Sequence, residues 1–567
     1  MNPYTNICRC GVIAALALSI VGCATTPVPT EVADDKAVVP FQTEAGEAGY
    51  HLLLAELAFE RGQFAEAASE YRKAAELGDD VEIAQRAVLL ANQVGRSDDA
   101  LASARRWVEL APDSLAARQQ LARSLLLDDD VPGAVDALRD LLPLIHEDPQ
   151  DAFPPLALVV LEAKPETGIR ALSRLVDEYD DVAAAHYALS TVALAGQSYE
   201  LALKHAQQAE QLQPQWYQAS ILTARTMVAM GETEAGLERA SEIARISADP
   251  GIRLDYALLL ANLDREGEAR LELDLLLGEH PRMSGALRAA GLLELRRGDL
   301  DAAQLHFTSL LATGRDIFEA FFYLGSIAEE RGQFERAIRY YSQVRDDDLA
   351  VAAQVRAAML YDRLGQLERG IEHLADVARE NPQFDADLSI AGGEMLARAG
   401  EPERALQAYD DVLVRHPGHR GARFARAFLL DTSGQVDLAV SELRELLAET
   451  PDDPIALNAL GYTLANRNMR LREAYRLIRK AYTLDPDNPA IVDSMGWVEF
   501  RRGNLQKALE YLQEAYMALP DPEVAAHLAE VLYAVGETKP AQALIENTLT
   551  DYPGHDALVD TAQRLGL

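Results

Sequence analysis

The side chains with the greatest chemical reach in this sequence are its cysteines, and they sit together. Cys8, Cys10 and Cys23 come first, and no thiol follows Cys23. The long remainder therefore has no disulfide, no thiolate metal site and no cysteine nucleophile open to it. Other catalytic patterns are also missing from it: there is no glycine-rich phosphate loop, no His-Glu-x-x-His pair, no calcium loop and no Gly-x-Ser-x-Gly elbow. His146-Glu147-Asp148 with Asp151 collects possible cation ligands, but without the alternating spacing of a dedicated loop it reads as a solvated turn. Asp346-Asp347-Asp348 reads the same way. The expectation is a body with no catalytic residue, no metal, no cofactor and no small-molecule substrate.

Charge narrows the partners. The 90 acidic residues outnumber 53 basic ones, for a net charge of −37. That sign repels nucleic acid and anionic headgroups over the whole molecule. One region inverts it. Between Asp411 and Asp431 no acid occurs, yet Arg415, Arg420, Arg423 and Arg426 do, with His416 and His419. A second basic run holds Arg467, Arg470, Arg472, Arg476, Arg479 and Lys480 against Glu473 alone. Guanidinium groups in such a patch suit the carboxylates of an acidic partner. They would equally serve to neutralise Glu442, Glu445 and Glu449 nearby.

The elements that position these residues follow one period. Stepping 33 to 35 residues from Ala67 reaches Ala100, Ala134, Gly168, Ala202, Gly236, Ala269, Ala303, Ala337, Gly370, Ala405, Ala439, Ala474, Ala508 and Ala541. Every position is Ala or Gly, as two helices crossing at close range require. Four residues on, one helical turn, stands a larger apolar residue such as Tyr71, Leu138, Phe307, Tyr341, Tyr409 or Leu512. Twelve residues after the small position comes proline in most units, from Pro112 to Pro553, which ends the second helix. Glycine marks the turn within the hairpin at Gly95, Gly298, Gly332, Gly400, Gly434, Gly503 and Gly536. The crowded prolines 149, 154, 155 and 165 predict either an irregular junction or a divergent but regular unit.

This pattern resembles the tetratricopeptide repeat, a helix–turn–helix unit of about 34 residues. The resemblance covers 46–567 and is closest around Met495-Gly496-Trp497, Gly503, Ala508, Ala515 and Pro520. It implies an all-α solenoid of about fifteen hairpins whose first helices line a concave groove, with a capping helix over 555–567. Registered on Gly461 and Gly496, the groove positions are Asn458, Tyr462 and Asn466, then Asp493, Trp497, Phe500 and Arg501. Aromatics beside an amide and an arginine have the composition of a protein-binding hot spot. Asn side chains can also pair with the backbone of an extended peptide. The competing role for Tyr462 and Trp497 is to wedge adjacent repeats together, as Trp107 and Trp216 are expected to do.

The amino terminus sets the expected location. Gly11 to Gly22 is an apolar run of 12 residues, too short to span a bilayer but suited to a signal-peptide core. It ends Ile20-Val21-Gly22-Cys23, which resembles the bacterial lipobox. The resemblance implies a signal peptide over 1–22 and acylation of Cys23, with Ala24 pointing to the outer membrane. Residues 23–45 read as a lipidated flexible tether with a reach on the order of 25 Å. With a lipobox followed by hairpins alone, the chain resembles the large tetratricopeptide lipoproteins of the gammaproteobacterial outer membrane. The segment from Leu460 to Tyr516 carries much of that likeness. The resemblance implies a periplasmic adaptor that binds a PDZ-containing, carboxyl-terminal processing serine protease and presents clients such as cell-wall hydrolases. An assembly factor for a pilus secretin or an outer-membrane insertion complex is the alternative.

Overall fold

The computed structural model describes residues 43–567 apart from 62, 346 and 347. Cys23, the signal segment and nearly all of the tether lie outside the described residues. So do Asp346 and Asp347. Among the described residues there are thirty-one α-helices, one 3-10 turn and no strand. The helices pair into fifteen consecutive hairpins from Glu44 to Asp551, followed by a last helix, Asp556–Leu565. The chain is a tetratricopeptide-type α-solenoid.

The fifteen small residues all sit in second helices, and all are buried. The three glycines among them show why size is limited there. A Cβ on Gly168 would lie 2.8 Å from Val160, one on Gly236 2.7 Å from Val228, and one on Gly370 2.7 Å from the carbonyl oxygen of Ala358. Each neighbour belongs to the preceding first helix, so the two backbones touch. The larger residue one turn later seats against a reciprocal gap. Phe307, Tyr341, Tyr409 and Leu512 pack on Gly291, Gly325, Gly393 and Gly496, where a Cβ would come within 2.4 to 2.7 Å of them. Burying one such side chain contributes about 2–3 kcal/mol.

The turns follow an equally physical rule. The glycines at 95, 298, 332, 400, 434, 503 and 536 all adopt positive φ, between 70° and 95°. Asp129, Gln197, Asp264 and Asn468 take the same left-handed slot without being glycine, at φ 54–62°. Most first helices open on acidic or polar caps, although Val182, Trp216, Met283, Leu349 and Phe384 stand at that position in others. The side chains of Asp80, Ser114, Asp249, Asp453, Asn488 and Asp521 each accept a backbone N–H of the first turn. Each such cap is worth about 1 kcal/mol, so part of the negative charge serves helix ends.

The proline-rich unit forms two helices, Pro149–Leu161 and Pro165–Val176, with Pro149 and Pro165 at their starts. Pro154 and Pro155 lie inside the first, removing two N–H donors from its ladder. The packing changes too. This first helix lies mainly on the next one, Ala183–Ala195, rather than on its own partner, while Val131–Ile145 packs against Pro165–Val176. The junction is irregular in its packing, although Gly168 keeps its close contact.

Candidate protein-binding groove

Three first helices build the candidate groove: Pro454–Asn466, Pro489–Arg501 and Pro522–Ala534. Each begins with proline at N1 behind an Asp or Asn cap, which fixes its entry into the array. Neighbouring first helices stack side by side, so residues one repeat apart meet.

The structure brings several of the expected groove residues together around one that the sequence reading missed, His527. Asp493 carboxylate oxygens lie 3.0 and 3.1 Å from His527 Nδ1. Tyr462 Oη lies 3.4 Å from its Nε2. Trp497 stacks on the imidazole, with ring centroids 4.1 Å apart and 22° between planes. Phe500 packs against Trp497 at 5.3 Å, and Arg501 reaches over the indole at 5.6 Å while donating to the carbonyl of Asn466 at 3.3 Å. Asn458 stands half-buried beside them, and its Oδ1 and the Trp497 Nε1 are enclosed without a partner among the described residues. Asp493 and Trp497 are 7% and 4% exposed. They therefore join hairpins thirteen to fifteen, while Tyr462, Asn466, Phe500 and Arg501 keep part of their surface open to solvent.

Electrostatics follow from this enclosure. Burial works against a charged His527, but Asp493 at hydrogen-bond distance and the nearby Glu523 and Glu530 outweigh it and raise the imidazole pKa. Burial, reinforced by the charges of Asp493 and Glu523, pushes the Tyr462 phenol up, so it remains a donor at neutral pH. A signal for His527 existed in the sequence: it lies 34 residues after Asp493, one repeat on.

The basic region is placed differently. Arg415 bonds Asp385 at 2.8 Å, and Arg420 pairs with Asp453. Arg423 is 8% exposed and reaches Glu449 at 2.8 Å, with Glu442 and Glu445 each at 3.7 Å. Arg426 bridges Asp410 at 2.6 Å and Glu442 at 2.7 Å. Arg470 lies 3.8 Å from Glu473. Arg476 and Arg472 are exposed and form no ion pair among the described residues. Arg467 bonds Asp431 at 2.9 Å and Lys480 reaches Asp452 at 2.6 Å. The first half of the patch is thus paired within and between hairpins eleven to thirteen, and the second half is paired in part, with Arg472 and Arg476 facing water. Asp385 shows the effect of the pairing, because burial raises its carboxyl but bonds from Arg415 and His416 hold it below the ordinary range.

Other candidate groups are structural in placement. Asp148 caps the helix Pro149–Leu161, and His146 Nδ1 lies 3.6 Å from Asp151. Trp107 is buried, and Trp216 packs on Tyr187 at 4.8 Å. No group of three His, Cys, Asp or Glu side chains able to hold a metal occurs among the described residues. No described helix is long and apolar enough to cross a membrane.

Comparison with known proteins agrees with this architecture. A tetratricopeptide repeat model matches residues 163–215, 288–350 and 355–420, and a second one matches 396–461. A TPR repeat-containing protein of Pseudomonas aeruginosa is 29% identical over 494 residues, covering 85% of this chain and 82% of that protein. The cellulose synthase 1 operon protein C of Komagataeibacter xylinus is 26% identical over 48% of this chain, which spans only 19% of that longer protein. Among solved structures, a chain of the APC/C hetero-tetramer Cut9–Hcn1 covers 92% of this chain, with 97% of its own length aligned, at 16% identity and a TM-score of 0.33. A thermophilic tetratricopeptide protein of Thermus thermophilus covers 32% of this chain over its full length, at 24% identity and a TM-score of 0.30. Tetratricopeptide arrays are protein–protein interaction scaffolds, typically without catalysis, and they bind protein partners.

Proposed function

We propose that this tetratricopeptide-repeat solenoid is a membrane-anchored adaptor. It binds a PDZ-containing, carboxyl-terminal processing serine protease in the periplasm and presents client proteins, cell-wall hydrolases among them. One observation carries the reading. Fifteen hairpins follow one another through the described residues, so what the chain offers is contact surface rather than a separate catalytic fold. Holding two partners on one solenoid would replace a bimolecular encounter with a local concentration in the millimolar range. The lipid on Cys23 confines that encounter to the outer-membrane surface. The candidate contact residues are the open edges of Tyr462, Asn466, Phe500 and Arg501, with the unpaired Arg472 and Arg476 as a second, acid-seeking face.

The test is affinity purification of the intact lipoprotein from membranes, followed by mass spectrometry. The reading expects a PDZ protease in stoichiometric yield, lost when Cys23→Ala releases the chain from the membrane fraction or when Phe500→Ala and Arg501→Ala remove the groove edge. Recovery of secretin or insertion-complex subunits without any protease would establish the assembly-factor role instead.

A further inference from the structure

A gap between hairpins eleven and twelve stands where hairpins nine and ten carry a bonded trio of side chains. In hairpin nine the buried Tyr341 donates its hydroxyl to Glu329 at 2.8 Å, and Arg356 of the following first helix holds the same carboxylate at 3.2 Å. The three residues close the space between neighbouring hairpins. Hairpins eleven and twelve place Tyr409 at the position of Tyr341, but Ala397 at that of Glu329 and Ala425 at that of Arg356. Both charged side chains are replaced by methyl groups. What remains is a cavity of about 480 Å³ lined by Ala397, Ala425, Leu429, Phe428 and Tyr409.

Three features distinguish this cavity from a packing defect. Tyr409 is 2% exposed as a residue, and it lines the cavity with a hydroxyl that is not sealed from solvent and has no hydrogen-bond partner among the described residues. Phe428, from the helix Arg420–Thr432, is 64% exposed at the cavity's edge. Glu394 and Arg398, one helical turn apart on Asp385–Arg398, are exposed along it and form no ion pair among the described residues. Burial and the charge of Glu394 push the Tyr409 phenol up to about 12, so it stays a donor across physiological pH.

We infer that this cavity is an anchor subsite for a protein partner, accepting one side chain with an apolar body and an oxygen at its tip, such as tyrosine or glutamine. The apolar walls take the body of the side chain, Phe428 closes over it, and Tyr409 donates to the oxygen. Glu394 and Arg398 then face the polar backbone or charged flanks of the inserted segment. The inference does not depend on which protein the proposed adaptor serves.

The probe is N-acetyl-tyrosinamide, titrated into the full-length protein and followed by saturation-transfer NMR. N-acetyl-phenylalaninamide and N-acetyl-alaninamide serve as references. The expected order is tyrosinamide over phenylalaninamide by at least threefold, with no measurable binding of alaninamide. Combining Ala397→Glu with Ala425→Arg recreates the hairpin-nine arrangement and should abolish binding while helical circular dichroism is unchanged. Tyr409→Phe should keep the cavity and erase the preference for the hydroxylated probe. Equal binding of all three probes, or undiminished binding by the refilled variant, would overturn the inference. If the refilled variant does not fold, the Tyr409→Phe comparison decides: a preserved threefold preference there overturns it as well.

Discussion

The close crossing of helices within each hairpin makes a prediction of opposite signs for one kind of substitution. In Gly236→Ala, the new methyl would lie 2.7 Å from Val228 Cγ2 and 2.8 Å from the carbonyl oxygen of Ala224. The valine can rotate, but the carbonyl is part of the facing helix, so the two helices must separate. Overpacking of this kind costs about 1–3 kcal/mol. Alanine's better helix propensity returns about 1 kcal/mol. The net expectation is a loss of about 1 kcal/mol centred on hairpin six. Gly278→Ala, in the helix Glu266–Glu279, meets nothing within 4 Å and should gain up to about 1 kcal/mol from propensity alone. Long repeat arrays do not unfold as two states, so the assay is amide hydrogen exchange resolved by hairpin. A loss of about 1 kcal/mol appears as a roughly fivefold rise in local opening. If Gly236→Ala protected hairpin six as much as Gly278→Ala protects hairpin seven, the close-contact explanation of the period would fail.

Other substitutions follow from the same geometry. Gln197 holds φ 57° in a turn where most hairpins use glycine, so Gln197→Gly should stabilise by up to about 1 kcal/mol, and Gly434→Ala at φ 82° should cost a similar amount, both read from amide exchange of hairpins five and twelve. Arg423→Ala removes the group that holds Glu449 and helps neutralise the buried Glu442. A loss of about 2 kcal/mol is expected, against less than about 0.5 for the exposed Arg476→Ala, in parallel exchange measurements of hairpins twelve and thirteen. Two histidines should respond to pH in opposite ways. His527 has a raised pKa in the fold, so its contribution is complete below about pH 6.5 and is lost as pH rises through the folded value. His205, stacked on His186, is pulled down to about 4, chiefly by burial and then by its neighbour. Its contribution is complete above about pH 6.5 and fades as pH falls toward 4. Exchange protection of hairpins fifteen and five, measured from pH 4.5 to 9 in wild type, His527→Gln and His205→Gln, checks both directions.

These features differ in how openly the sequence displays them. The small positions, the residues one turn later and the closing prolines were legible because each answers a local steric demand that recurs in every unit. Gly95, Gly298 and Gly434 were legible for the same reason, since positive φ favours glycine. Asp129, Gln197, Asp264 and Asn468 hide the same turn behind ordinary side chains, and only backbone geometry reveals it. The fate of the arginines was less visible. Arg415 and Arg423 find partners 30 and 26 residues away on the other helix of their own hairpins, and Arg420 finds one 33 residues away in the next hairpin, distances that matter only once the helices pack. His527 was missed on that account too: it meets Asp493 across one repeat and contributes no motif of its own. The cavity beside Tyr409 required a comparison between repeats, because Ala397 and Ala425 look like ordinary helix residues until Glu329 and Arg356 show what those positions hold elsewhere.

The adaptor account is tested most directly by titrating the purified full-length chain into a fixed mixture of a PDZ processing protease and a cell-wall hydrolase client, and measuring the initial rate of client cleavage. A scaffold that holds both partners predicts a rate that rises, peaks near equivalence and falls at excess, as partners distribute onto separate scaffolds. A cleavage rate independent of the amount of this chain would contradict it.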